Sequence, residues 1–263
     1  MAKIREKATV ISQEQLAPGI FSMWIKTTVS GESIPGQFIS VYTKNEAKLL
    51  PRPISICQTD TEKGALRIVY RVAGDGTKEF SSYAAGDTVD ILGPLGNGYD
   101  LSSDTFKSFS GKKALLIGGG IGIPPMLGLA QKLPGKVTIV AGYRSRDDLF
   151  LTKDLSINGE LFIASDDGSV GTKGTVIDAI KENGIKADVI FACGPKPMLA
   201  GVKKLSEEMG VPAYISMEER MACGVGACLG CVCKSSSVDD HSKVKNKRVC
   251  VDGPVFLASE VEL

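Results

Sequence analysis

Five of the chain's seven cysteines fall between Met221 and Cys250, and the spacing of four of them constrains the fold more than any other feature. Cys223, Cys228, Cys231 and Cys250 are set out as C-x4-C-x2-C-x18-C. This is the ligand pattern of a plant-type [2Fe–2S] cluster with a shortened return to the fourth thiol. Gly224, Gly226 and Gly230 stand between the ligands, where a side chain would crowd the cluster and where positive φ is expected. Zinc is a competing guest, but structural zinc sites use close pairs or mixed Cys/His ligands, which an x4-then-x2 triplet matches poorly. Disulfides belong mainly to secreted chains. Cys233 reads as a buried bystander, because the x2 step requires Cys231.

The charges balance, with 31 Lys and Arg against 30 Asp and Glu, so no global field draws the chain to nucleic acid or to an anionic membrane. Neither a signal-type apolar segment nor a run of about 18 apolar residues is present, so neither secretion nor a membrane span is expected. Clustered thiols that bind metal fit a reducing compartment, and a cytoplasmic location is expected.

The first hundred residues read as short strands rich in Val, Ile, Phe and Tyr: residues 8–12, 20–26, 37–42, 66–72 and 88–92, separated by turns such as Pro18-Gly19 and Pro35-Gly36. That rhythm predicts a small antiparallel barrel. From Gly111 onward, apolar runs at residues 114–117, 137–141, 161–164 and 189–192 alternate with helical stretches at 124–133, 175–183 and 196–209. Such alternation predicts a parallel sheet covered on both faces. The expected organisation is a multi-domain α+β chain: an N-terminal antiparallel β-barrel over 1–102, a central α/β parallel-sheet nucleotide-binding domain over 103–215, and a small cluster segment over 216–263. Residues 234–248 read as a solvated loop or hairpin that returns the chain to Cys250. His241, the one histidine, falls in it and is given no role.

Gly118 to Pro125 follows the first apolar run of the second half and opens a helix. Gly120, Gly122 and Pro125 form G-x-G-x-x-P. The glycines let a phosphate approach the backbone at the positive end of a helix, and proline in the first turn sacrifices no intrahelical bond. A dinucleotide pyrophosphate is the expected guest. No acidic residue closes the second strand at residues 140–142, and Arg144, Arg146, Asp147 and Asp148 follow. These residues leave NADP open, although NADH is the expectation adopted.

In the barrel, Arg52-Pro53-Ile54-Ser55 offers a bidentate phosphate donor and a hydroxyl, and Tyr70-Arg71 leads to the small-residue turn Gly74-Asp75-Gly76-Thr77. R-P-x-S, then G-P-L-G-N-G at residues 93–98, G-x-G-x-x-P, and Cys193-Gly194-Pro195 together resemble the ferredoxin reductase superfamily. The segment SMEERMACGVGACLGC and the closing DGPVF at residues 252–256 narrow the resemblance to electron-transfer subunits of class B dihydroorotate dehydrogenases. It runs from about Val10 to the C-terminus.

The resemblance implies FAD held by Arg52, Pro53, Ile54 and Ser55, by Val69, Tyr70 and Arg71, and by Gly76 and Thr77. It implies a [2Fe–2S] cluster on Cys223, Cys228, Cys231 and Cys250, with NAD(H) as substrate on Gly120, Gly122 and Pro125, and with Cys193 and Gly194 near the nicotinamide. For Cys193, a small buried hydrophobe at a strand end is the competing reading. The implied partner is an FMN-containing dihydroorotate dehydrogenase catalytic subunit in a heterotetramer of two plus two chains. Met221, Val225 and Leu229 are expected to face that partner, with packing against the FAD domain as the alternative. Reductase subunits of a ferredoxin:NADP oxidoreductase, a sulfide dehydrogenase or an oxygenase keep the same cofactors with another partner. A zinc-stabilised interaction module is the reading from a different class.

Overall fold

The computed structural model describes every residue except 1–2, 46, 136 and 239–242. His241 therefore lies outside the described residues. The N-terminal half is a closed barrel of β1 (Ile4–Ala17), β2 (Ile20–Lys26), β3 (Phe38–Tyr42), β4 (Arg52–Asp60), β5 (Ala65–Arg71) and β6 (Thr88–Leu95), with the short helix α1 (Asp75–Phe80) after β5. The strands are ordered β1-β2-β5-β4-β3-β6. Alternating residues such as Val10, Met23, Ile25, Ile39, Leu66, Ile68 and Ile91 fill the interior, as a half-buried strand requires. The β4–β5 ladder runs from Asp60↔Ala65 only as far as Ile56↔Ile68. Beyond it, the start of β4 pairs with β3 and the end of β5 pairs with β2, so the barrel splits between residues 52–55 and 69–71.

A short helix, α2 (Asp104–Lys107), bridges to the second layer. The Ser-rich stretch at residues 102–110 is anchored there, because Phe106 and Phe109 pack on Phe191 and Tyr214. The central sheet contains β7 (Ala114–Gly119), β8 (Val137–Tyr143), β9 (Glu160–Ser165), β10 (Thr172–Lys173), β11 (Val189–Cys193) and β12 (Ala213–Ser216), with helices α3 (Ile123–Ala130), α4 (Thr152–Asn158), α5 (Val176–Glu182) and α6 (Lys196–Met209). Leu115 and Ile117 of β7 face α5 and α6, whereas Ala114 and Leu116 face α3 and α4. Both faces are thus covered, which is why these strands read as continuous apolar runs.

The C-terminal segment adds a hairpin, β13 (Val232–Lys234) with β14 (Asn246–Arg248), and then β15 (Val255–Leu257). β15 joins the central sheet antiparallel to β12, giving the order β10-β9-β8-β7-β11-β12-β15. The cysteine segment is therefore tied at its end into the nucleotide sheet.

Barrel and sheet meet through a close contact. Gly128 of α3 lies against β4, and a Cβ there would overlap the Cys57 carbonyl oxygen. Cys57 is wholly buried in this seam, and burial pushes its thiol up to about 12, the behaviour of a structural cysteine. Arg67, also buried, crosses the same seam to Asp154 of α4 at 3.2 Å and is held by Gln58 and Ser22.

Candidate functional site

Three candidate sites lie in sequence around the barrel. The first is a cleft of about 680 Å³ at the carboxyl ends of the parallel strands. In the order β9-β8-β7-β11-β12 the connections reverse between β7 and β11, the crevice where open α/β sheets bind ligands. Gly120 and Gly122 form one wall, and Gly194, Pro195 and Met198 form the other. The two walls touch: a Cβ on Gly122 would overlap the Cys193 carbonyl, and one on Gly119 would lie 2.5 Å from Met198 Sδ. Gly120 takes φ +53°, a conformation that favours glycine. Pro125 is buried in the first turn of α3 and does not line the cleft; its position suits the opening of the helix. Cys193 is buried behind Gly194, and burial raises its thiol to about 12 against a hydrogen bond from Ser216. Glu218, which sequence reasoning left without a role, lines the cleft beside it.

The second site is the split in the barrel. Arg52, Pro53, Ile54 and Ser55 form one lip and Val69, Tyr70 and Arg71 the other. Arg52 lies directly over Gly76, where a Cβ would overlap the guanidinium, and it donates to the Leu50 carbonyl. Thr77 Oγ1 accepts from the Ala73 and Gly74 N–H groups at 2.9 and 3.2 Å, fixing the turn into α1. The Tyr70 ring points away from the split into the barrel core: it stacks on Phe21 at 6.0 Å and its hydroxyl donates to Gln13. The Tyr70 side chain therefore does not line the split. Arg71, at the end of its strand, lines the nucleotide cleft near Gly120.

The third site is the thiol nest. Cys223 and Cys228 interact with each other, as do Cys231 and Cys250. Among the described residues, no three His, Cys, Asp or Glu side chains converge on a single-ion site. Two pairs of neighbouring thiols suit the four ligands that two irons share. Backbone N–H groups of Val225, Gly230 and Cys250 each donate to a ligand sulfur, Cys223, Cys228 and Cys231 respectively, at 3.4 Å. Burial pushes the Cys223 thiol up, but the Val225 N–H and the Cys228 thiol and N–H outweigh it and bring it down to about 6. Burial and the Cys231 thiol push Cys250 up to about 12, a protonation that a bound cation reverses. The donor set thus fits a [2Fe–2S] cluster.

Positive φ occurs at Gly224 and Gly226, as expected, but the third such residue is Leu229 rather than Gly230. The Gly230 N–H bonds the Cys228 sulfur, and a Cβ there would make an ordinary 3.4 Å contact with that sulfur. Cys233 is buried in the apolar core and its thiol is raised by that burial. Leu229 is 52% exposed, whereas Met221 and Val225 pack against the core. The exposed apolar surface beside the nest therefore consists of Leu229 and Val232 rather than the three residues expected.

Two motifs noted separately in the sequence meet here. Asn97 of G-P-L-G-N-G bonds the Gly253 carbonyl through its N–H at 2.6 Å, and its side chain donates to the Val251 carbonyl at 2.7 Å. Arg248 closes the same turn by pairing with Asp252 at 3.2 Å. On the other side, Gly224 rests on Ser40 and Leu95 of the barrel. The nest is thereby fixed against the barrel from both ends.

Two family models match the ends of the chain. A family described as "Oxidoreductase FAD-binding domain" matches residues 6–99, and "Iron-sulfur cluster binding domain of dihydroorotate dehydrogenase B" matches residues 218–262. The "Dihydroorotate dehydrogenase B (NAD(+)), electron transfer subunit" of Listeria monocytogenes serotype 4a (strain HCC23) is 43% identical over 99% of this chain and 100% of its own length. Its counterpart from Bacillus pumilus (strain SAFR-032) is 44% identical over 97% of each chain. A solved chain from an NADH-dependent reduced ferredoxin-NADP oxidoreductase superposes with a TM-score of 0.85 at 31% identity, covering 98% of this chain and 90% of its own. The ferredoxin reductase of carbazole 1,9a-dioxygenase, at 19% identity and TM-score 0.68 over 82% of this chain and 69% of its own, shares the fold. With full-length relatives at this identity and both end domains matched, the chain belongs to the family of dihydroorotate dehydrogenase B electron transfer subunits.

Proposed function

We propose that this chain relays electrons between NAD(H) and an FMN-containing dihydroorotate dehydrogenase catalytic subunit, through its own FAD and [2Fe–2S] cluster, in pyrimidine biosynthesis. One observation carries the reading: the strand order β5-β4-β3 sets the flavin split between the nucleotide cleft, reached by Arg71 on β5, and the thiol nest, whose Gly224 rests on Ser40 of β3. Bound FAD supplies the conversion between hydride and single-electron chemistry.

The chain's own residues do the positioning. Gly120 and Gly122 bring the backbone against a pyrophosphate. Arg52 pairs with the flavin's phosphates, Ser55 reaches its ring edge, and the main chain of Val69 and Tyr70 lines the opposite lip. Cys223, Cys228, Cys231 and Cys250 would hold the two irons. The N–H groups of Val225, Gly230 and Cys250 stabilise charge on the sulfurs and so help set the potential. The exposed side of the nest, at Cys228, Leu229 and Val232, meets the catalytic subunit in a heterotetramer of two plus two chains. No helix among the described residues is long and apolar enough to cross a membrane.

Mixing the holoprotein with an FMN-containing dihydroorotate dehydrogenase subunit tests the reading. The expected result is a complex of two plus two chains in which dihydroorotate reduces NAD. Absence of both complex and NAD reduction contradicts it.

A further inference from the structure

We propose that Arg67 is a positioning residue for the hydride step: through Asp154 it clamps the strand that carries one flavin lip to the segment that walls the nucleotide cleft. The inference rests on the relay just described, in which hydride passes between a dinucleotide in that cleft and a flavin in the split. Arg67 lies on β5, just before Val69, Tyr70 and Arg71. Asp154 lies on α4, shortly after Phe150, which lines the cleft beside Tyr143. The guanidinium thus joins the two halves of the reaction across the seam.

A buried guanidinium needs partners wherever it sits, so neutralisation alone is the competing explanation. The partner geometry speaks against it. Arg67 is 7% exposed. Within the barrel it already has the Ser22 hydroxyl at 2.9 Å, the Gln58 side-chain carbonyl at 2.7 Å, the Glu14 carboxylate at 3.6 Å and the Trp24 ring at 5.9 Å. The shorter of its two carboxylate contacts, 3.2 Å, nevertheless goes across the seam to Asp154.

On the far side, the clamped segment is strained. Leu151, between Phe150 and α4, is buried and takes φ 59°, a left-handed conformation that a bulky side chain keeps only where its surroundings impose it. One contact holds it from each side: the Tyr143 hydroxyl donates to the Phe150 carbonyl at 2.8 Å, and Asp154 accepts from Arg67. The first ties the segment to the sheet, the second to the barrel. The steric contact of Gly128 with the Cys57 carbonyl is a second fixed point of the seam, on α3. Together the two points set the angle at which sheet meets barrel, and loss of the clamp leaves α3 as a pivot. Reacting atoms must approach to about 3–3.5 Å, and a misplacement of about 1 Å costs about 100-fold in rate. Dinucleotide binding draws chiefly on the glycine loop and the β11–α6 turn, both within the sheet domain, and tolerates such a shift.

Anaerobic stopped-flow reduction of the holoprotein by NADH, with calorimetric titration by NAD, tests the clamp. Asp154 is the residue to change first, because its side chain is 42% exposed and its loss leaves Arg67 with Glu14, Ser22 and Gln58. In Asp154→Ala the limiting rate of flavin bleaching falls about tenfold or more, while the NAD dissociation constant stays within about threefold and the flavin midpoint potential does not move. Arg67→Met lowers the rate by a similar factor, and the double variant is no slower than Arg67→Met alone, since both changes remove one contact. Glu208→Gln, which breaks the exposed Lys181–Glu208 pair between α5 and α6, leaves rate, affinity and potential unchanged. Flavin and cluster absorption report that each variant is folded. An unchanged limiting rate in folded Asp154→Ala, a loss confined to NAD affinity, or rate losses that multiply in the double variant overturns the inference and leaves the relay standing. A wild-type flavin that NADH does not bleach overturns the relay, and the inference with it.

Discussion

Replacing Cys250 by serine removes the cluster's visible absorption and leaves that of the flavin, whereas replacing Cys233 leaves both. Cys250 sits opposite Cys231 in a buried pair, its own N–H bonded to the Cys231 sulfur at 3.4 Å. Its turn is held by Asn97 from the barrel and by the Arg248–Asp252 pair, so no other thiol can move into its place without dismantling that turn. Cys233 lies on β13 opposite Lys247 and points into apolar core; serine there loses packing but no ligand. Iron, about two per chain in the wild type, falls to trace amounts in Cys250→Ser, while bound FAD persists because the split between β4 and β5 is untouched. Iron and flavin assays on both variants check the assignment. A cluster retained without Cys250 and lost without Cys233 contradicts it.

Gly122→Ala weakens NAD binding by about 5- to 150-fold, the range that roughly 1–3 kcal/mol of overpacking gives. The added Cβ meets backbone, the Cys193 carbonyl and the Gly194 nitrogen, and backbone at the end of a central strand cannot yield as a flexible side chain does. The glycine loop and the β11–α6 turn must part, which displaces both walls of the cleft. Gly31→Ala, where a Cβ meets nothing within 4 Å, serves as the control and binds NAD normally. Equal affinities for the two variants contradict the role given to the wall contact.

The parts legible in the sequence are those fixed by local spacing. The four ligands lie within one segment, and the glycine loop directly joins a strand to a helix. β2 and α6 fall where the apolar pattern places them because each presents one regular face to a core. β4 did not read as a strand at Arg52-Pro53, since proline argues against strand. It is tolerated there because the β4–β5 ladder has already ended at Ile56. α4 escaped notice because among its residues only Leu155 is buried, too few for a period to show. The site's remaining features depend on contacts across long separations. Burial of Met221 and Val225 is decided by the core they meet, and the inward turn of Tyr70 by Gln13 on β1. None of these has a spacing signature.

The proposed electron path runs through one chain, from nucleotide cleft to flavin split to thiol nest. Anaerobic addition of NADH to the purified holoprotein, followed by optical and low-temperature electron paramagnetic resonance spectroscopy, tests it most directly. Flavin and cluster absorption are expected to bleach together, with the signal of a reduced [2Fe–2S] cluster in wild type and in Cys233→Ser and its absence in Cys250→Ser. Flavin bleaching with no cluster signal in any of the three proteins would contradict it.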